Sequence, residues 1–512
     1  MLSKVYTAGI CGIDGFSVTV ECSGWDRLPR FEVVGLPDLA VKEAKERVRS
    51  ACENSGFGFP SMDLTVNLAP ADRKKEGSSF DLAILCAILQ CEGRIPHKLP
   101  LADKCFVGEL SLSGEVRPVR GVLCLALAAK AAGQTEIYVP AENAREAAVV
   151  DGLTVYGVRD LRSLIAHLRG EGRLTPVTYD RREFHARVGS FSIDFSDVRG
   201  QYGAKRALEI AAAGGHNVLL IGPPGSGKSM LAKRLPTILP DLTFDEAVET
   251  TKIHSIAGLL RDNLVTERPF RSPHHSVSMP GLVGGGTNPR PGEISLSNHG
   301  VLFLDELPEF NKMLTESLRQ PIEDGRVLVT RAAARVEYPA QFMLVCAMNP
   351  CRCGYYGDPH RICTCRKDEV HKYLSRVSGP LLDRIDIQIE LPAVSYEDMS
   401  RTGGDGEPSA VIRARVNAAR AFAARRAQEN GAARSNAAMS PADVHRYCTP
   451  DKAGQALLAA AFENLGLSGR GYDRILRVAR TIADLAGEEQ IGAAHLAEAI
   501  QLRSLDGKYW SR

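Results

Sequence analysis

The sequence lacks the features that mark several classes of protein. It has no uninterrupted apolar run of membrane-spanning length, and its first residues, MLSKVYTAGICGIDGF, lack the apolar core of a signal peptide. Its formal net charge is only +2, so any nucleic-acid binding has to come from local basic surfaces. Its 13 cysteines are odd in number and scattered, which argues against a disulfide framework. We therefore expect a cytoplasmic protein with reduced thiols and no membrane association.

What is present is material for several globular domains. With 512 residues, of which 44% are hydrophobic, the chain is too long for one ordinary core. Strand-like and helical runs alternate in the first two thirds, and helical periodicity dominates the end. The expected organisation is an α/β or α+β domain at 1–170, a linker at 171–190, an α/β core with a mostly parallel sheet at 191–396, a linker at 397–409 and a helical region at 410–512.

A glycine-rich loop has the composition of a nucleotide-binding loop. Residues 219–235, LLIGPPGSGKSMLAKRL, run from an apolar strand into the pattern G-x-x-x-x-G-K-S and then into a helix. In such a loop Lys228 pairs with phosphate oxygens and the Ser229 hydroxyl is a ligand for Mg²⁺. A chance match in a glycine-rich turn is the alternative, and the flanking strand and helix argue against it. The predicted ATP-binding residues are Gly222, Pro223, Pro224, Gly225, Ser226, Gly227, Lys228, Ser229 and Met230.

Polar residues follow two further apolar strands. Asp305 and Glu306 come directly after GVLFL, and Asn349 follows QFMLVCAM. Because parallel strands present their carboxyl ends at one edge of a sheet, these side chains are expected beside the loop. Asp305 would hold Mg²⁺ through water, Glu306 would polarise the attacking water, and Asn349 would orient that water. The alternatives are a helix cap for the acidic pair and a turn-forming asparagine before proline.

Four cysteines lie close together directly after Asn349. In CRCGYYGDPHRICTC, Cys351, Cys353, Cys363 and Cys365 form two C-x-C pairs, separated by glycines and a proline that permit a chain reversal. Four thiolates fill every position around a tetrahedral ion, so the zinc that this pattern predicts would be structural. The alternative is a set of reduced structural thiols.

Positive charge is concentrated in two segments of the central region. The stretch 323–342, EDGRVLVTRAAARVEYPAQF, alternates like a β-hairpin, and the stretch 268–292 is rich in glycine and proline, which predicts a loop. The candidate DNA contacts are Arg331 and Arg335 at the hairpin tip and Arg271 and Arg290 in the loop. An ordinary solvated surface is the alternative. For the arginine-rich stretch 409–430, a solvated helix face is preferred over DNA contact.

The motifs GPPGSGKS, VLFLDE, AMNP and GPLLDRIDI, in this order, are similar to those of AAA+ ATPases. RPGEISLSNHGVLFLDELPEF and LSGRGYDRILRVARTIADL narrow the resemblance to the magnesium-chelatase-related branch and its ComM/YifB group, over essentially the whole chain. The resemblance implies a homo-hexameric ring in which Arg384 reaches the nucleotide of the adjacent subunit as an arginine finger. It also implies that Arg470 is the sensor-2 arginine of a helical lid, with Arg474 as a competitor, and that the hairpin projects toward the central pore. A finger from the neighbour would make hydrolysis depend on assembly.

The N-terminal region resembles the proteolytic domain of Lon in RKKEGSSFDLAILCAIL and VGELSLSGEVRPVRGVLCLALAAK. Ser79 falls at the place of the catalytic serine, but Leu123 stands where the catalytic lysine belongs, and Lys130 lies too far on to substitute. A serine hydroxyl without a base is a poor nucleophile, so the resemblance implies a Lon-like domain without proteolytic activity. The basic turn at 71–77, ADRKKEG, is expected to bind a partner protein or nucleic acid. The alternative is a turn that faces only solvent.

The resemblance implies an ATP-driven, helicase-like DNA motor that promotes branch migration of recombination intermediates during uptake of transforming DNA. Its cofactors would be ATP and Mg²⁺, with structural Zn²⁺ at the cysteines. Its partners would be branched, single-stranded or double-stranded DNA, further copies of the chain and other recombination proteins. A chelatase-type remodeller of a protein partner is the second hypothesis, although metal insertion would also need a separate porphyrin-binding subunit. An ATP-dependent protease is the third, and Leu123 argues against it.

Overall fold

The computed structural model describes residues 1–286, 289–331, 334–394, 406–430, 435–465 and 467–510. Most of the predicted linker at 397–409 lies outside these residues. Contacts divide the chain into two compact units, of which the first comprises Met1–Ala186 with Ala247–Val265 and the second comprises Arg187–Glu246 with Thr266–Arg512. Residues 247–265 therefore pack with the N-terminal unit, although in the sequence they lie within the predicted central region.

The first unit is built on a mixed β-sheet. Its strands are β1 (Leu2–Cys11), β2 (Asp14–Trp25), β3 (Arg30–Val34), β4 (Asp63–Ala69), β5 (Lys104–Phe106), β6 (Glu109–Leu110), β7 (Val116–Arg117), β8 (Glu136–Pro140), β9 (Thr154–Val158) and β10 (Pro176–Val177). Eight of them form one sheet in the order β10-β9-β8-β5-β1-β2-β4-β3, while β6 and β7 form a separate ribbon. β1 and β2 are a long antiparallel hairpin, and β1, β5, β8 and β9 run parallel.

Helices complete the core of the first unit. They are α1 (Leu39–Asn54), α2 (Asp81–Glu92), α3 (Val122–Ala131), α4 (Ala144–Ala147), α5 (Leu161–Arg169) and α6 (Arg181–Arg187), the last of which ends at the unit boundary. α2 is buried from Asp81 to Cys91, because its sequence DLAILCAILQC is apolar on every face. α1 is amphipathic and begins after Asp38, whose carboxylate accepts a hydrogen bond from the N–H of Val41.

The second unit contains the predicted parallel sheet. Its strands are β11 (Val218–Ile221), β12 (Phe270–Arg271), β13 (Gly284–Gly285), β14 (Arg290–Pro291), β15 (Val301–Leu304), β16 (Arg326–Arg331), β17 (Ala334–Pro339), β18 (Met343–Met348) and β19 (Ile387–Glu390). Five of them form a wholly parallel sheet in the order β12-β15-β18-β11-β19. β11, β15 and β18 are buried along their whole length, since VLLI, VLFL and MLVCAM suit strands that are covered on both faces. The prediction of an α/β core is confirmed.

Helices surround this sheet and form the C-terminal region. They are α7 (Tyr202–Gly214), α8 (Lys228–Arg234), α9 (Phe244–Ala257), α10 (Met279–Val283), α11 (Glu293–Leu296), α12 (Lys312–Ser317), α13 (Arg319–Asp324), α14 (Lys367–Leu374), α15 (Gly379–Leu382), α16 (Ser409–Asn430), α17 (Pro441–Tyr447), α18 (Lys452–Leu465), α19 (Gly469–Ala486), α20 (Ala493–Gln501) and α21 (Leu505–Tyr509). Short 3₁₀ helices span Ala141–Asn143, Phe195–Asp197, Leu235–Ile238, Leu307–Glu309 and Asn436–Ala438. α9 crosses from the second unit to the first. α7, α16 and α19 pack on one another, and the predicted helical end of the chain is confirmed.

Candidate nucleotide site

The phosphate loop joins the buried strand β11 to helix α8. Gly225 and Gly227 have φ angles of +79° and +90°, in the left-handed region that favours glycine. A Cβ atom at Gly222 would lie 2.6 Å from the carbonyl oxygen of Leu391, so this position requires glycine for a different reason. α8 begins directly after the loop, at Lys228. The backbone therefore has the strand–loop–helix geometry in which loop N–H groups turn toward a phosphate.

Lys228 connects the loop to a neighbouring strand. Only 8% of this residue is exposed, and its ammonium group donates to the carbonyl oxygens of Gly222 at 2.7 Å and Pro223 at 2.8 Å. It also donates to Oδ1 of Asn349 at 3.2 Å. Burial lowers the pKa of Lys228 to about 8, although the carboxylate of Asp305 acts in the opposite direction. The loop lysine and the asparagine that sequence analysis selected are thus hydrogen-bonded partners.

Ser229 and the acidic pair meet at the ends of adjacent strands. The Ser229 hydroxyl donates to Oδ2 of Asp305 at 2.6 Å, at the edge where the parallel strands β11, β18 and β15 end. Oxygen atoms are the ligands that Mg²⁺ prefers, so this pair fits the ion that accompanies ATP. Glu306 follows with a left-handed φ of +53°, and 62% of its side chain is exposed. Its carboxylate lies 3.9 Å from Nδ1 of His275 and is open to water.

Arg384 is buried and ion-paired inside its own unit. Only 4% of its side chain is exposed, and its guanidinium donates to Oε1 of Glu323 at 2.5 Å and to a backbone carbonyl at 2.7 Å. Burial lowers the pKa of Arg384, Glu323 raises it, and the nearby charges of Arg319, Arg470 and Arg474 lower it further. For Arg384 to reach a neighbouring nucleotide, as sequence analysis expects, this ion pair has to open.

Arg470 and Arg474 differ in accessibility although they lie about one turn apart in α19. Arg470 is exposed in the first turn of the helix. Arg474 forms an ion pair with the buried Asp386, which also lies 3.6 Å from Nδ1 of His216. Although burial acts in the opposite direction, Arg474 and His216 hold the pKa of Asp386 well below its usual range. The charge of Arg474 is therefore used in a buried ion pair. Of the two candidates for the sensor-2 arginine, Arg470 is the accessible one.

The four cysteines come together in one cluster. The Sγ–Sγ distances are 3.3 Å from Cys351 to Cys353, 3.7 Å from Cys351 to Cys363 and 3.5 Å from Cys353 to Cys363. With Cys365 included, all four Sγ atoms lie within 4.8 Å of one another. Thiolates bonded to one tetrahedral Zn²⁺ lie about 3.8 Å apart, so the cluster has the size of a zinc site. Backbone N–H groups of the intervening loop hydrogen-bond to Cys351 and Cys353, as they would to metal-bound thiolates.

The candidate DNA contacts have different surroundings. The predicted hairpin is present, because β16 and β17 pair in antiparallel register and bury alternate side chains on one face. Arg335 and Arg290 are exposed, whereas the side chain of Arg331 lies outside the described residues. Arg271 forms a two-pronged ion pair with Glu293, with N–O distances of 2.6 and 2.7 Å. The charge of Arg271 is engaged within its own fold, so we do not retain it as a DNA contact.

The arginines of α16 hold the helix in place. Arg413 donates to a backbone carbonyl at 3.0 Å, and Arg415 donates to Oε1 of Glu209, in α7, at 2.6 Å. Arg426 donates to both carboxylate oxygens of the buried Asp484, in α19, at 2.7 and 2.5 Å. These three arginines join α16 to the rest of the second unit, so neither a solvated basic face nor a DNA contact describes them.

In the first unit, two residues that the sequence analysis discussed, Leu123 and Lys75, are fully buried. Leu123, which the resemblance to Lon aligns with the catalytic lysine, is an apolar residue fully buried in α3, and its N–H donates to Oε1 of Glu146 at 3.0 Å. Lys75, in the basic turn, is also fully buried, and its ammonium donates to the carbonyl oxygen of Arg73 at 2.7 Å. Burial lowers the pKa of Lys75. Both expectations for the basic turn, a surface for a partner or nucleic acid and a solvent-facing turn, are therefore wrong for Lys75.

Sequence reasoning missed two residues at the site. Gln201 has a left-handed φ of +54° and donates to the carbonyl oxygens of Ser226, in the loop, at 3.1 Å and of Pro392 at 2.8 Å. The flanking glycines in RGQYG are the local signal of this unusual backbone. Glu323, the partner of Arg384, has no such signal, because the two residues are 61 positions apart.

Comparisons with known proteins cover nearly the whole chain. Residues 18–143 match the family "Subunit ChlI of Mg-chelatase", residues 194–399 match "Magnesium chelatase, subunit ChlI", and residues 406–503 match "Magnesium chelatase, subunit ChlI C-terminal". "Competence protein ComM" of Haemophilus influenzae is 43% identical over 506 residues, which is 98% of both chains. "Uncharacterized protein YifB" of Escherichia coli is 42% identical over 507 residues, which is 99% of this chain and 97% of that protein. The chain belongs to the ComM/YifB family of magnesium-chelatase-related AAA+ ATPases.

The likeness of this ComM/YifB family member to chelatase subunits is more distant. "Magnesium-chelatase 38 kDa subunit" of Rhodobacter capsulatus is 28% identical over 177 residues, which covers 30% of this chain and 50% of that protein. Membership of the AAA+ class implies the use of ATP and Mg²⁺, and AAA+ proteins commonly form oligomers. Within the part of the chain that the structure describes, no helix combines the length and apolarity needed to cross a bilayer.

Proposed function

We propose that this ATPase works as a hexameric ring that moves DNA and promotes branch migration of recombination intermediates during uptake of transforming DNA. One observation above all supports the ATPase on which such a motor would depend. Hydrogen bonds join Lys228 to Asn349 and Ser229 to Asp305, so the ends of three adjacent parallel strands carry one set of phosphate-binding and metal-binding groups. The competence role rests on the relative named ComM, which is 43% identical along 98% of the chain.

In the proposed reaction, each polar group at this edge has one task. Lys228 binds the β- and γ-phosphate oxygens. Ser229 directly, and Asp305 through water, would hold Mg²⁺, which would neutralise charge on those oxygens. Glu306 is exposed to solvent, so its carboxylate accepts a hydrogen bond from the attacking water and polarises it. Asn349, already bonded to Lys228, orients the same water.

Arginines complete the proposed site. Phosphoryl transfer spreads negative charge over the γ-phosphate, and a guanidinium group from the adjacent subunit compensates that charge. We assign this task to Arg384, which has to exchange Glu323 for phosphate when the ring forms. Arg470 acts from the helical lid of the same subunit, where it is exposed at the start of α19.

The DNA-contacting surface is proposed at the hairpin of β16 and β17 and at the neighbouring loop. Arg335 and Arg290 are exposed cations there, and Arg331 ends β16 on the same hairpin. A ring repeats each arginine six times, which would concentrate positive charge along the path of the DNA backbone.

The test is the ATPase rate at low salt with a four-way DNA junction, with a non-substrate protein and with no addition. We expect the junction alone to stimulate hydrolysis. Arg335→Ala should weaken this stimulation and make it less sensitive to salt, because each lost phosphate contact lowers the salt slope by about 0.9. Arg326→Ala is the matched control, since Arg326 lies at the base of the same hairpin and pairs with Glu337. An ATPase rate that does not respond to junction DNA would refute the DNA motor.

A chelatase-type remodeller of a protein partner is the second candidate. It is favoured by the three matches to magnesium-chelatase families. This candidate predicts an ATPase rate that DNA leaves unchanged, so the same assay separates the two functions. A protease is disfavoured, because Leu123 is a buried apolar residue in place of a base.

We also propose that the four-cysteine cluster binds one structural Zn²⁺. The distances between the Sγ atoms fit a single tetrahedral ion, and four thiolates leave no open position for catalysis.

A further inference from the structure

The cysteine cluster is continuous with the nucleotide site. Asn349 bonds to Lys228 at 3.2 Å, and only one residue separates Asn349 from Cys351, which is completely buried. Asn349 is therefore held from both sides, by the buried strand β18 before it and by the 351–365 segment after it, which we call the cysteine loop. Because only Pro350 lies between Asn349 and Cys351, we expect a displacement of the cysteine loop to disturb the bond between Asn349 and Lys228.

The cysteine loop also touches the phosphate loop from outside. Gly354 is buried with a left-handed φ of +90°, and a Cβ atom placed there would lie 2.5 Å from Cδ and 2.8 Å from Cγ of Pro224. Pro224 lies at the centre of the phosphate loop. The backbone of the cysteine loop is thus packed against the phosphate loop as closely as a glycine permits.

The outer side of the cysteine loop rests on the C-terminal end of the chain. The rings of Tyr356 and Tyr509 lie 6.4 Å apart, and the Tyr509 hydroxyl donates to Oε1 of Glu390 at 2.8 Å. Glu390 ends β19 and pairs in register with Ile221, the last residue of β11 before the phosphate loop. Two routes therefore join the cysteine loop to the strands on which the phosphate loop is built.

We infer that the metal bound by the four thiolates is a brace for the nucleotide site. Zn²⁺ closes the cysteine loop, and the closed loop fixes the amide of Asn349 and supports Pro224. The inference of a brace depends on the proposed ATP site, whereas the inference of a metal site depends only on the geometry of the four cysteines. Besides its cysteines, the cysteine loop consists mostly of glycine, charged and polar residues. It therefore has too few apolar side chains to keep its closed conformation without the ion.

The first experiment measures metal and nucleotide separately on the full chain. Elemental analysis of the purified protein should give one zinc per chain, and replacement by Co²⁺ should give the intense thiolate-to-metal absorption of a tetrahedral site. Cys353→Ser should lose the metal and bind a fluorescent ATP analogue about tenfold more weakly, which corresponds to the loss of about one charge-assisted hydrogen bond. Cys11→Ser is the control, because Cys11 is exposed and lies outside the cluster.

The second experiment changes the brace without changing the thiols. Gly354→Ala should keep its zinc but bind the ATP analogue about tenfold more weakly, because the new methyl group collides with Pro224. Gly357→Ala is the matched control. Gly357 has a similar left-handed φ of +79° in the same loop, but a Cβ atom there meets only the end of Lys508, at 3.9 Å. If Cys353→Ser does not fold, the comparison of Gly354→Ala with Gly357→Ala still tests whether the cysteine loop supports nucleotide binding.

The outcomes are distinguishable. A parent protein without zinc and without a cobalt spectrum, or with iron in its place, would overturn the zinc site. A zinc-free Cys353→Ser protein, or a zinc-bound Gly354→Ala protein, that binds the analogue as tightly as the parent would overturn the brace. A zinc-bound parent that does not bind the analogue would refute the ATP site and with it the brace, while the metal site would stand.

Discussion

Binding of ATP should make the protein take up protons through Lys228. Burial lowers the pKa of Lys228 to about 8 in the chain by itself, whereas phosphate oxygens beside the amine favour the ammonium form and raise the pKa. At pH 8 about half of the amines are neutral, so each binding event takes up about 0.5 proton, compared with about 0.1 at pH 7 and about 0.9 at pH 9. Because the ammonium form binds phosphate, the affinity for ATP falls as pH rises through 8, by up to about tenfold for each further pH unit.

The assay is calorimetric titration with a non-hydrolysable Mg²⁺–ATP analogue in buffers of different ionisation enthalpy. The slope of observed heat against buffer enthalpy gives the number of protons taken up. The terminal phosphate contributes little above pH 7, because its own pKa is about 6. Lys228→Arg is the control, since a guanidinium group stays charged across this range. An uptake that does not change between pH 7 and pH 9, or that persists unchanged in Lys228→Arg, would refute the assignment.

Two further predictions concern ion pairs in the second unit. Glu323→Gln removes the charge that holds Arg384, so the ATPase rate should reach its assembled value at a several-fold lower protein concentration. A concentration profile identical to that of the parent would contradict this role for Glu323. Arg426→Ala should lower the free energy of unfolding by about 2 kcal/mol, because it takes one partner from a buried carboxylate. Arg425→Ala, at the exposed neighbouring position, should change it by less than about 0.5 kcal/mol, and equal losses in denaturant titrations would contradict the distinction.

The parts of the site that lie within a few residues of one another could be predicted from sequence. The phosphate loop needs glycines at fixed spacing, and the strands before Asp305 and Asn349 are apolar along their whole length. Because parallel strands end at one edge, the meeting of Ser229 with Asp305 follows from these local patterns. The hairpin followed in the same way from alternating residues in β16 and β17.

The ion-pair partners and the burial of individual charged side chains could not be predicted in this way. In the sequence Arg271 is a cation in a loop, but in the structure it pairs with Glu293, 22 residues later. Lys75 belongs to a basic turn in the sequence, but in the structure it is fully buried. The arginines of α16 find carboxylates in α7 and α19, up to 206 positions away. Pairing between distant positions leaves no periodic trace in the sequence. For the same reason the packing of residues 247–265 with the first unit was not predicted.

The acceptors that hold Lys228 and Arg384 differ in strength, and this difference sets the order of events in the proposed cycle. The ammonium group of Lys228 donates to the neutral carbonyl oxygens of Gly222 and Pro223, which phosphate displaces at little cost because charged acceptors bind cations more strongly. Arg384 is bonded to the carboxylate of Glu323 while 96% buried, so only another anion can compensate the loss of that bond. We therefore expect a single chain to bind ATP, and rapid hydrolysis to wait until a neighbouring subunit brings its nucleotide to Arg384.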